Sequence, residues 1–301
     1  VKVDTLSSAL LAHGVHLVGR TFKYHRPRGI VTSGVEEPNA LVQIIKDQAR
    51  NDPNLRSTQS EIYEGLNATS QNCWPSVNFD LGAINNLFSP IIPAGFYYKT
   101  FMWPKSFWYK VYEPFIRKAA GFGVASIKHD KERYEHKYEY CDLLITGSGP
   151  SGLASAYAAA KNGARVILAE DKPRFGGSLL TSEVNIGNQS GKEWANSIIT
   201  ELKEMPNVIV KNRAQVFGYY DHNMLVMSER INDHLPKSKK YSPKQRLWYI
   251  RAKEVVISSG SIERPLVFGN NDTPGVVLSS AAKEYLKVYG VLVGRNPLIF
   301  T

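Results

Sequence analysis

The sequence is poor in cysteine and has no long apolar run. Its 301 residues contain two cysteines, Cys73 and Cys141, and two distant thiols cannot supply a disulfide framework, a CxxC pair or a cysteine-rich metal site. No stretch reaches the roughly 20 apolar residues of a membrane span, because the most apolar candidate, residues 87–116, is interrupted by prolines and lysines. We therefore expect a protein of the reducing cytoplasm without a membrane segment.

Catalytic and metal-ligating patterns are also missing. The seven histidines are scattered, and the sequence shows no paired carboxylates, no serine or cysteine triad and no metal-ligand spacing. We predict no catalytic residue and no metal site in this chain. The net charge of +10 is spread among interleaved acids, and its densest runs, residues 22–28 and 237–246, match no nucleic-acid-binding motif. We expect no nucleic-acid partner.

The first part of the chain predicts a few short elements. Residues 4–14 indicate a helix with Asp4 as N-cap and Gly14 as its left-handed end. Residues 15–18 read as a strand and residues 26–29 as a turn. Residues 35–45 read as a loop and a strand with Leu41, Val42, Ile44 and Ile45 buried. From 80 to 140 the chain becomes aromatic, proline-punctuated and then highly charged, which is typical of a connector that wraps a surface.

A more regular pattern begins at Cys141. Residues 142–146 form a buried strand, a glycine-rich turn and a helix follow, Gly163 ends the helix, and residues 164–169 form a second strand. Strand, helix and strand within ~30 residues predict a βαβ unit. Further strands are predicted at 208–210, 215–219, 224–227 and 247–251, and a last one at 255–258 returns to the first sheet.

The glycine turn carries the strongest functional signal. In this context Gly147 allows the tight turn, Gly149 lets the backbone approach a pyrophosphate, and Gly152 allows close packing of helix and strand. Glu170, at the end of the second strand, can accept hydrogen bonds from an adenosine ribose, and its charge disfavours the 2′-phosphate of NADP. The pattern predicts an adenine dinucleotide but does not separate NAD from FAD.

Two further segments are candidates for the same ligand. Gly176-Gly177 offers a second close backbone approach after Glu170, and Ser258-Ser259-Gly260 directly follows an apolar strand. Each could also be an ordinary turn.

Several longer motifs give the chain a resemblance to the alpha subunits of heterotetrameric sarcosine oxidases. The motifs are GRTFKYHRPRGI at 19–30, EEPNALV at 36–42, PAGFYYKTFMWP at 93–104, GYYD at 218–221 and IERPLVF at 262–268. The resemblance implies an α/β fold: a truncated Rossmann-like FAD/NAD(P)-binding domain at 141–301, preceded by a small α+β ferredoxin-like domain at 1–79 and the connector at 80–140. This ferredoxin-like domain should hold no iron-sulfur cluster, since a basic segment at 22–28 stands where ferredoxins place thiolates.

The resemblance also implies cofactors and partners. The alpha subunit is expected to bind NAD, with FAD as the alternative, while FMN lies at the interface with a beta subunit that holds FAD. Together with gamma and delta subunits, the complex oxidises the amine sarcosine to glycine, giving hydrogen peroxide and formaldehyde, or methylene-tetrahydrofolate when tetrahydrofolate is present. The residues expected to hold the dinucleotide are Gly147, Gly149, Pro150, Ser151, Gly152, Glu170, Asp171, Gly176, Gly177, Ser178, Val216, Ser259 and Gly260.

Two other functions stay open. One is the alpha subunit of a related enzyme, namely an opine oxidase, a dye-linked proline dehydrogenase or a cyanide-forming glycine oxidase. The other is a non-catalytic scaffold module whose nucleotide site no longer binds; the intact glycines and Glu170 count against it.

Overall fold

The structure is a computed structural model that describes residues 3–90, 92–93, 95–96, 99, 101–236 and 241–300. The chain divides into two compact units, one made of Val1–Asp130 with Glu263–Thr301 and the other of Lys131–Ile262. Parts of the motif at 93–104 and of the basic run at 237–246 lie outside the described residues.

The described residues of both units form helices and strands. The α-helices are α1 Leu6–Ala12, α2 Glu113–Ala120, α3 Pro150–Lys161, α4 Gly191–Glu204 and α5 Ser279–Tyr289. A π-helical turn, Trp108–Tyr112, precedes α2, and 3-10 helices span Leu81–Phe88, Gly177–Leu180 and Asp221–Asn223. The strands are β1 Gly19–Arg20, β2 Pro27–Arg28, β3 Leu41–Ile45, β4 Asn51–Arg56, β5 Ala68–Ser70, β6 Tyr134–Thr146, β7 Val166–Ala169, β8 Asn185–Ile186, β9 Gln189–Ser190, β10 Val208–Lys211, β11 Ala214–Tyr220, β12 Met224–Arg230 and β13 Gln245–Ile257.

The first unit is built on a three-stranded antiparallel sheet with the order β4-β3-β5. The strand predicted within residues 35–45 is confirmed as β3, which alternates buried and half-buried side chains, so that Leu41 and Ile45 are half-buried and not buried as predicted. Val42 and Ile44 on its buried face join a core to which α1 contributes Leu11 and α5 contributes Tyr285. Hydrophobic contact between this sheet and the two helices therefore holds the unit together.

Helix α1 begins at a different cap from the predicted one. Thr5, and not Asp4, is the N-cap: its hydroxyl accepts from the Ser8 amide, and the Ser8 side chain reaches back to the Thr5 amide. The Asp4 carbonyl instead accepts from the Ile62 amide, so Asp4 is held in extended pairing before the helix starts. Gly14 does have the left-handed φ that was predicted, at 73°.

The predictions for residues 15–29 were wrong in detail. Residues 15–18, all of them described, form no strand, and Pro27–Arg28, predicted as a turn, is strand β2 paired antiparallel with β1. The reason is the loop between these strands, where the Thr21 amide donates to the Arg26 carbonyl and closes a hairpin. This hydrogen bond helps to set the register of β1 and β2, and it could not be predicted from the apolar residues at 15–18.

Glu37 holds one loop of the first unit together. Its side chain is 1% exposed, and one carboxylate oxygen accepts from the Val31 amide and from the amide and hydroxyl of Thr32. The other oxygen accepts from the amides of Asn39 and Ala40. A carboxylate has about four lone-pair sites, so these donors satisfy the buried charge within the chain.

The second unit is a six-stranded sheet with the order β10-β7-β6-β13-β12-β11. The strands β10, β7, β6 and β13 run parallel to one another, and β13, β12 and β11 form an antiparallel meander. The predicted βαβ unit is confirmed as β6, α3 and β7, and Gly163 follows α3 with a φ of 82°. The strands predicted at 208–210, 215–219 and 224–227 lie within β10, β11 and β12.

Two strands of this sheet are longer than predicted. The segments 247–251 and 255–258 were predicted as separate strands, but β13 runs through Lys253 and Glu254 without a break and pairs with β6 along its length. Strand β6 starts at Tyr134, well before the predicted start at Asp142. Its charged first half alternates between exposed and partly buried residues, as expected for a strand with one face toward solvent. Tyr138 stacks on Tyr249 across this added pairing, with ring centroids 5.0 Å apart.

Both faces of the sheet are covered. Ile145 of β6 faces a core with Leu153 of α3 and Leu202 of α4, whereas its neighbour Leu144 faces a second core with the fully buried Trp248. Among the helices of the described residues, none combines the length and the apolar character needed to cross a membrane.

We expect the substitution Glu37→Gln to destabilise the chain by about 2–4 kcal/mol, because an amide nitrogen would face donors that now meet a carboxylate oxygen. Urea-induced unfolding of the variant and of the wild type measures the difference. Glu36→Gln is the matched control at a half-buried neighbour and should stay within about 0.5 kcal/mol. Equal losses for both variants would contradict this role of Glu37.

Candidate functional site

The glycine turn between β6 and α3 is packed backbone against backbone. Gly147 has a φ of 96°, and a Cβ added there would lie 2.3 Å from the Ser258 carbonyl oxygen. A Cβ on Gly152 would lie 2.0 Å from the Gly147 carbonyl oxygen. Side chains are therefore sterically excluded at both positions, and the close packing of strand and helix depends on their absence.

Gly149 differs from these two glycines because it faces open space. It is the N-cap of α3 in an extended conformation, and a Cβ built on it meets no atom within 4 Å. Pro150 occupies the first helical turn, where its missing N–H costs nothing, and Ser151 beside it is exposed. The free amides and positive dipole end of α3 thus open onto unfilled space, as a phosphate site requires.

The second glycine pair lies against the first turn. Gly176 and Gly177 have φ values of 119° and 52°, and a Cβ on Gly177 would lie 2.9 Å from the Gly149 Cα. The Gly176 amide donates to the Ser148 carbonyl oxygen at 3.1 Å and lies 3.2 Å from the Ser148 hydroxyl. Ser178 is exposed at the start of the 3-10 helix that follows.

The other predicted residues occupy the surroundings of these turns. The Ser259 Cα would lie 3.3 Å from a Cβ on Gly147, and Gly260 follows it with a φ of 74°; both are exposed. Val216 lies on β11, whose first residue, Ala214, donates to the Glu170 carbonyl at 2.8 Å. The structure thus brings the segments at 147–152, 170–171, 176–178 and 258–260 together, while Val216 stands two residues along the adjoining strand.

Glu170 is buried and bonded to its own chain. Its side chain is 6% exposed, and Oε2 accepts from the Ser148 amide at 2.9 Å and from the Ser148 hydroxyl at 2.5 Å. Oε1 accepts from the Lys172 amide at 3.0 Å. Burial, and then the adjacent Asp171 side chain, raise the pKa of Glu170 to about 7, against the lowering effect of Ser148.

Ser148 is the site residue that sequence reasoning missed. It is fully buried and joins the first turn, Glu170 and Gly176. The sequence placed a serine between two glycines but could not show that its hydroxyl points inward to a carboxylate 22 residues away.

Cys141 lacks the surroundings of a reactive thiol. Burial raises the pKa of Cys141 to about 12, which keeps it a thiol at neutral pH, and both cysteines are free. Among the described residues, no group of three or more His, Cys, Asp or Glu side chains could hold a metal ion.

Two sequence families match the chain, one within each of its two units. Residues 142–223 match a family described as FAD dependent oxidoreductase, and residues 2–73 match one described as a 2Fe-2S iron-sulfur cluster binding domain. The glycine turn and the carboxylate of Glu170 fit the first description, because no protein atom lies within 4 Å of a Cβ built on Gly149 at the start of α3. An iron-sulfur cluster does not fit the second description, because residues 2–73 contain one cysteine, Cys73, and a cluster of this type needs four ligands.

Comparison with individual proteins confirms the resemblance inferred from the motifs. The chain is 52% identical over 298 residues to the alpha subunit of sarcosine oxidase from Rhizobium meliloti. The aligned region covers 99% of this chain and 30% of that protein. It is 27% identical over 177 residues to an opine oxidase subunit of Agrobacterium tumefaciens, and this aligned region covers 54% of the chain. The chain spans about a third or less of these relatives' lengths.

A solved structure supports the fold. L-proline dehydrogenase from P. horikoshii matches with a TM-score of 0.61 at 18% identity, covering 98% of this chain and 45% of that one. The predicted fold class, a Rossmann-like α/β region preceded by a small ferredoxin-like region, is confirmed.

The raised pKa of Glu170 predicts a pH-dependent stability. Between pH 4.5, the ordinary value, and about 7, the folded chain keeps a proton that the unfolded chain has lost. Stability should therefore fall by about 3 kcal/mol as the pH rises through this window. Glu170→Gln should remove that slope in melting temperatures measured from pH 4.5 to 8.

The control for this prediction is Glu193→Gln. The Ser190 hydroxyl lowers the pKa of Glu193, so its contribution changes only at lower pH and the slope should persist. Parallel melting curves for Glu170→Gln and the wild type would contradict the assigned burial of this proton.

Proposed function

We propose that this chain is the dinucleotide-binding part of the alpha subunit of an amine-oxidising flavoenzyme of the sarcosine oxidase type. The observation that carries the binding function is the open space beside Gly149, at the N-terminus of α3 and within reach of the second glycine turn. The 52% identity over nearly the whole chain supports the enzyme type. The complete protein's activity is part of the proposal, since the chain spans 30% of that relative.

Each group of residues has a distinct part in holding the dinucleotide. The first-turn amides of α3, framed by Gly147, Gly149, Pro150, Ser151 and Gly152, would bind the pyrophosphate. The carboxylates of Glu170 and Asp171 would accept from the adenosine ribose. Gly176, Gly177, Ser178, Ser259 and Gly260 would line the ligand, and the Val216 backbone would meet the adenine. The bound dinucleotide supplies hydride-transfer chemistry, while these residues bind and orient it.

NAD is the proposed occupant, and FAD is the alternative. The residues around the turn recognise the adenosine diphosphate half that both ligands share. NADP is disfavoured, because its 2′-phosphate would meet the buried Glu170 and the neighbouring Asp171.

The reaction needs partners. We propose that a beta subunit carries FAD and the amine-oxidising site, that FMN lies at its interface with this chain, and that gamma and delta subunits complete a cytoplasmic complex. Sarcosine, oxygen and water would give glycine, hydrogen peroxide and formaldehyde, or methylene-tetrahydrofolate with tetrahydrofolate. The weaker likeness to the opine oxidase subunit keeps a different amine substrate as the second candidate.

Ligand binding and turnover test the two parts of this proposal separately. The full chain is mixed with NAD, FAD or NADP, and its melting temperature and retained ligand are measured. We expect NAD or FAD to stabilise the chain and NADP to do so least; no response to NAD and FAD would refute the binding function. Sarcosine oxidation should require a beta-type partner, and turnover by this chain alone would refute the proposed division of labour.

The substitution Gly149→Ala separates ligand binding from folding. The added methyl group meets no protein atom within 4 Å, so the melting temperature without ligand should stay near that of the wild type. The same methyl group would occupy the space where the pyrophosphate approaches, and affinity should fall at least about tenfold, or 1.4 kcal/mol. Isothermal titration with the ligand that stabilises the wild type measures this loss.

Gly269→Ala is the matched control, because its Cβ also meets open space but lies in the other unit. Its affinity should equal that of the wild type. Unchanged affinity in Gly149→Ala would show that the pyrophosphate does not bind at the start of α3.

A further inference from the structure

The Ser148 side chain lies at the junction of three parts of the site. It is 0% exposed, and its hydroxyl donates to Glu170 Oε2 at 2.5 Å. The same hydroxyl oxygen lies 3.2 Å from the Gly176 amide, which donates to it. One buried oxygen therefore links the first glycine turn, the ribose-binding carboxylate and the second glycine turn.

These bonds determine which part of the Glu170 carboxylate remains for a ligand. Each carboxylate oxygen has about two lone-pair sites. The amide and hydroxyl of Ser148 occupy both sites of Oε2, and the Lys172 amide occupies one site of Oε1. Of the two oxygens, Oε1 is the one that Ser148 leaves to other donors, and the Asp171 side chain is a further hydrogen-bond partner of this carboxyl.

We propose that Ser148 is a positioning residue of the dinucleotide site, whose hydroxyl turns Glu170 Oε1 toward the adenosine ribose and fixes the second glycine turn against the first. This proposal rests on the proposed function, because it concerns the same ligand. Ser148 itself touches no ligand in this arrangement and acts through Glu170 and Gly176.

The surroundings of Glu170 define the expected pH dependence. Its ionisable neighbour is Asp171, whose side chain hydrogen-bonds the Glu170 carboxyl and whose charge also disfavours its ionisation, and the Arg230 guanidinium donates to the Asp171 carbonyl at 3.2 Å. Lys211 contacts Glu170 through its backbone carbonyl, and Lys172 through its amide. Ribose hydroxyls donate to an ionised carboxylate, so affinity should rise with pH as Glu170 loses its proton, and the Ser148 hydroxyl favours that loss.

The test is the affinity of the full chain for NAD, FAD and ADP from pH 5.5 to 8.5, in the wild type and in Ser148→Ala. Removing a hydrogen bond to the ionised form should move the midpoint of the pH dependence about one unit higher. At pH 7, near the wild-type midpoint, the affinity should then be about fivefold lower than that of the wild type. A packing defect alone would lower affinity at every pH without moving the midpoint.

Two further variants show whether the effect passes through Glu170. In the Glu170→Gln background, Ser148→Ala should move no midpoint and should lower affinity by less than it does alone, since the titrating partner is gone. Ser197→Ala is the matched control, because the Ser197 hydroxyl donates only within α4, to the Trp194 carbonyl. It should leave both affinity and midpoint unchanged.

The outcomes distinguish this proposal from the proposed function. Failure of the wild type to bind NAD, FAD and ADP would refute the function itself. Binding by the wild type with the same midpoint in Ser148→Ala would refute the positioning role alone. Should Ser148→Ala not fold, Ser148→Cys, with a weaker donor, is measured instead, and an unmoved midpoint in that variant overturns the proposal equally.

Discussion

The second unit depends on a close contact between backbone atoms that leaves no room for a side chain. The Gly147 carbonyl lies so near Gly152 that an added Cβ would be 2.0 Å away, and the Ser258 carbonyl is nearly as close to Gly147. This contact brings the ends of β6 and β13 against the start of α3. A third glycine in the same turn, Gly149, faces open space, so tight packing requires glycine at Gly147 and Gly152 but not at Gly149. The order of the glycines in the sequence therefore has a separate physical reason at each position.

Two buried carboxylates differ in the hydrogen bonds that the fold supplies to them. Glu37 accepts five hydrogen bonds from its own loop, which satisfies both oxygens. Glu170 accepts three, and the Asp171 side chain is a further hydrogen-bond partner of its carboxyl. Burial is similar in both cases, so burial alone does not describe how far the fold satisfies a carboxylate.

Local patterns in the sequence predicted the second unit well and the first unit poorly. The βαβ unit and the glycine turn follow from short-range periodicity, and the structure has them where they were predicted. The continuity of β13 could not be read, because Lys253 and Glu254 resemble a break until the partner strand β6 is known. The cap of α1 and the hairpin at 19–28 depend on bonds to Ile62 and between Thr21 and Arg26. The role of Ser148 likewise depends on a partner 22 residues away.

The first unit also shows that a fold can persist without the group for which its relatives are described. Residues 2–73 match an iron-sulfur domain family, yet they contain a single cysteine. What stabilises the unit is independent of thiolates: an apolar core shared by α1, β3 and α5, and the Glu37 carboxylate that fixes its loop. Because neither requires metal, loss of the ligands removes the cluster and leaves the packing intact. Similarity to the family therefore predicts the architecture of this unit, whereas its chemistry depends on the side chains at each site.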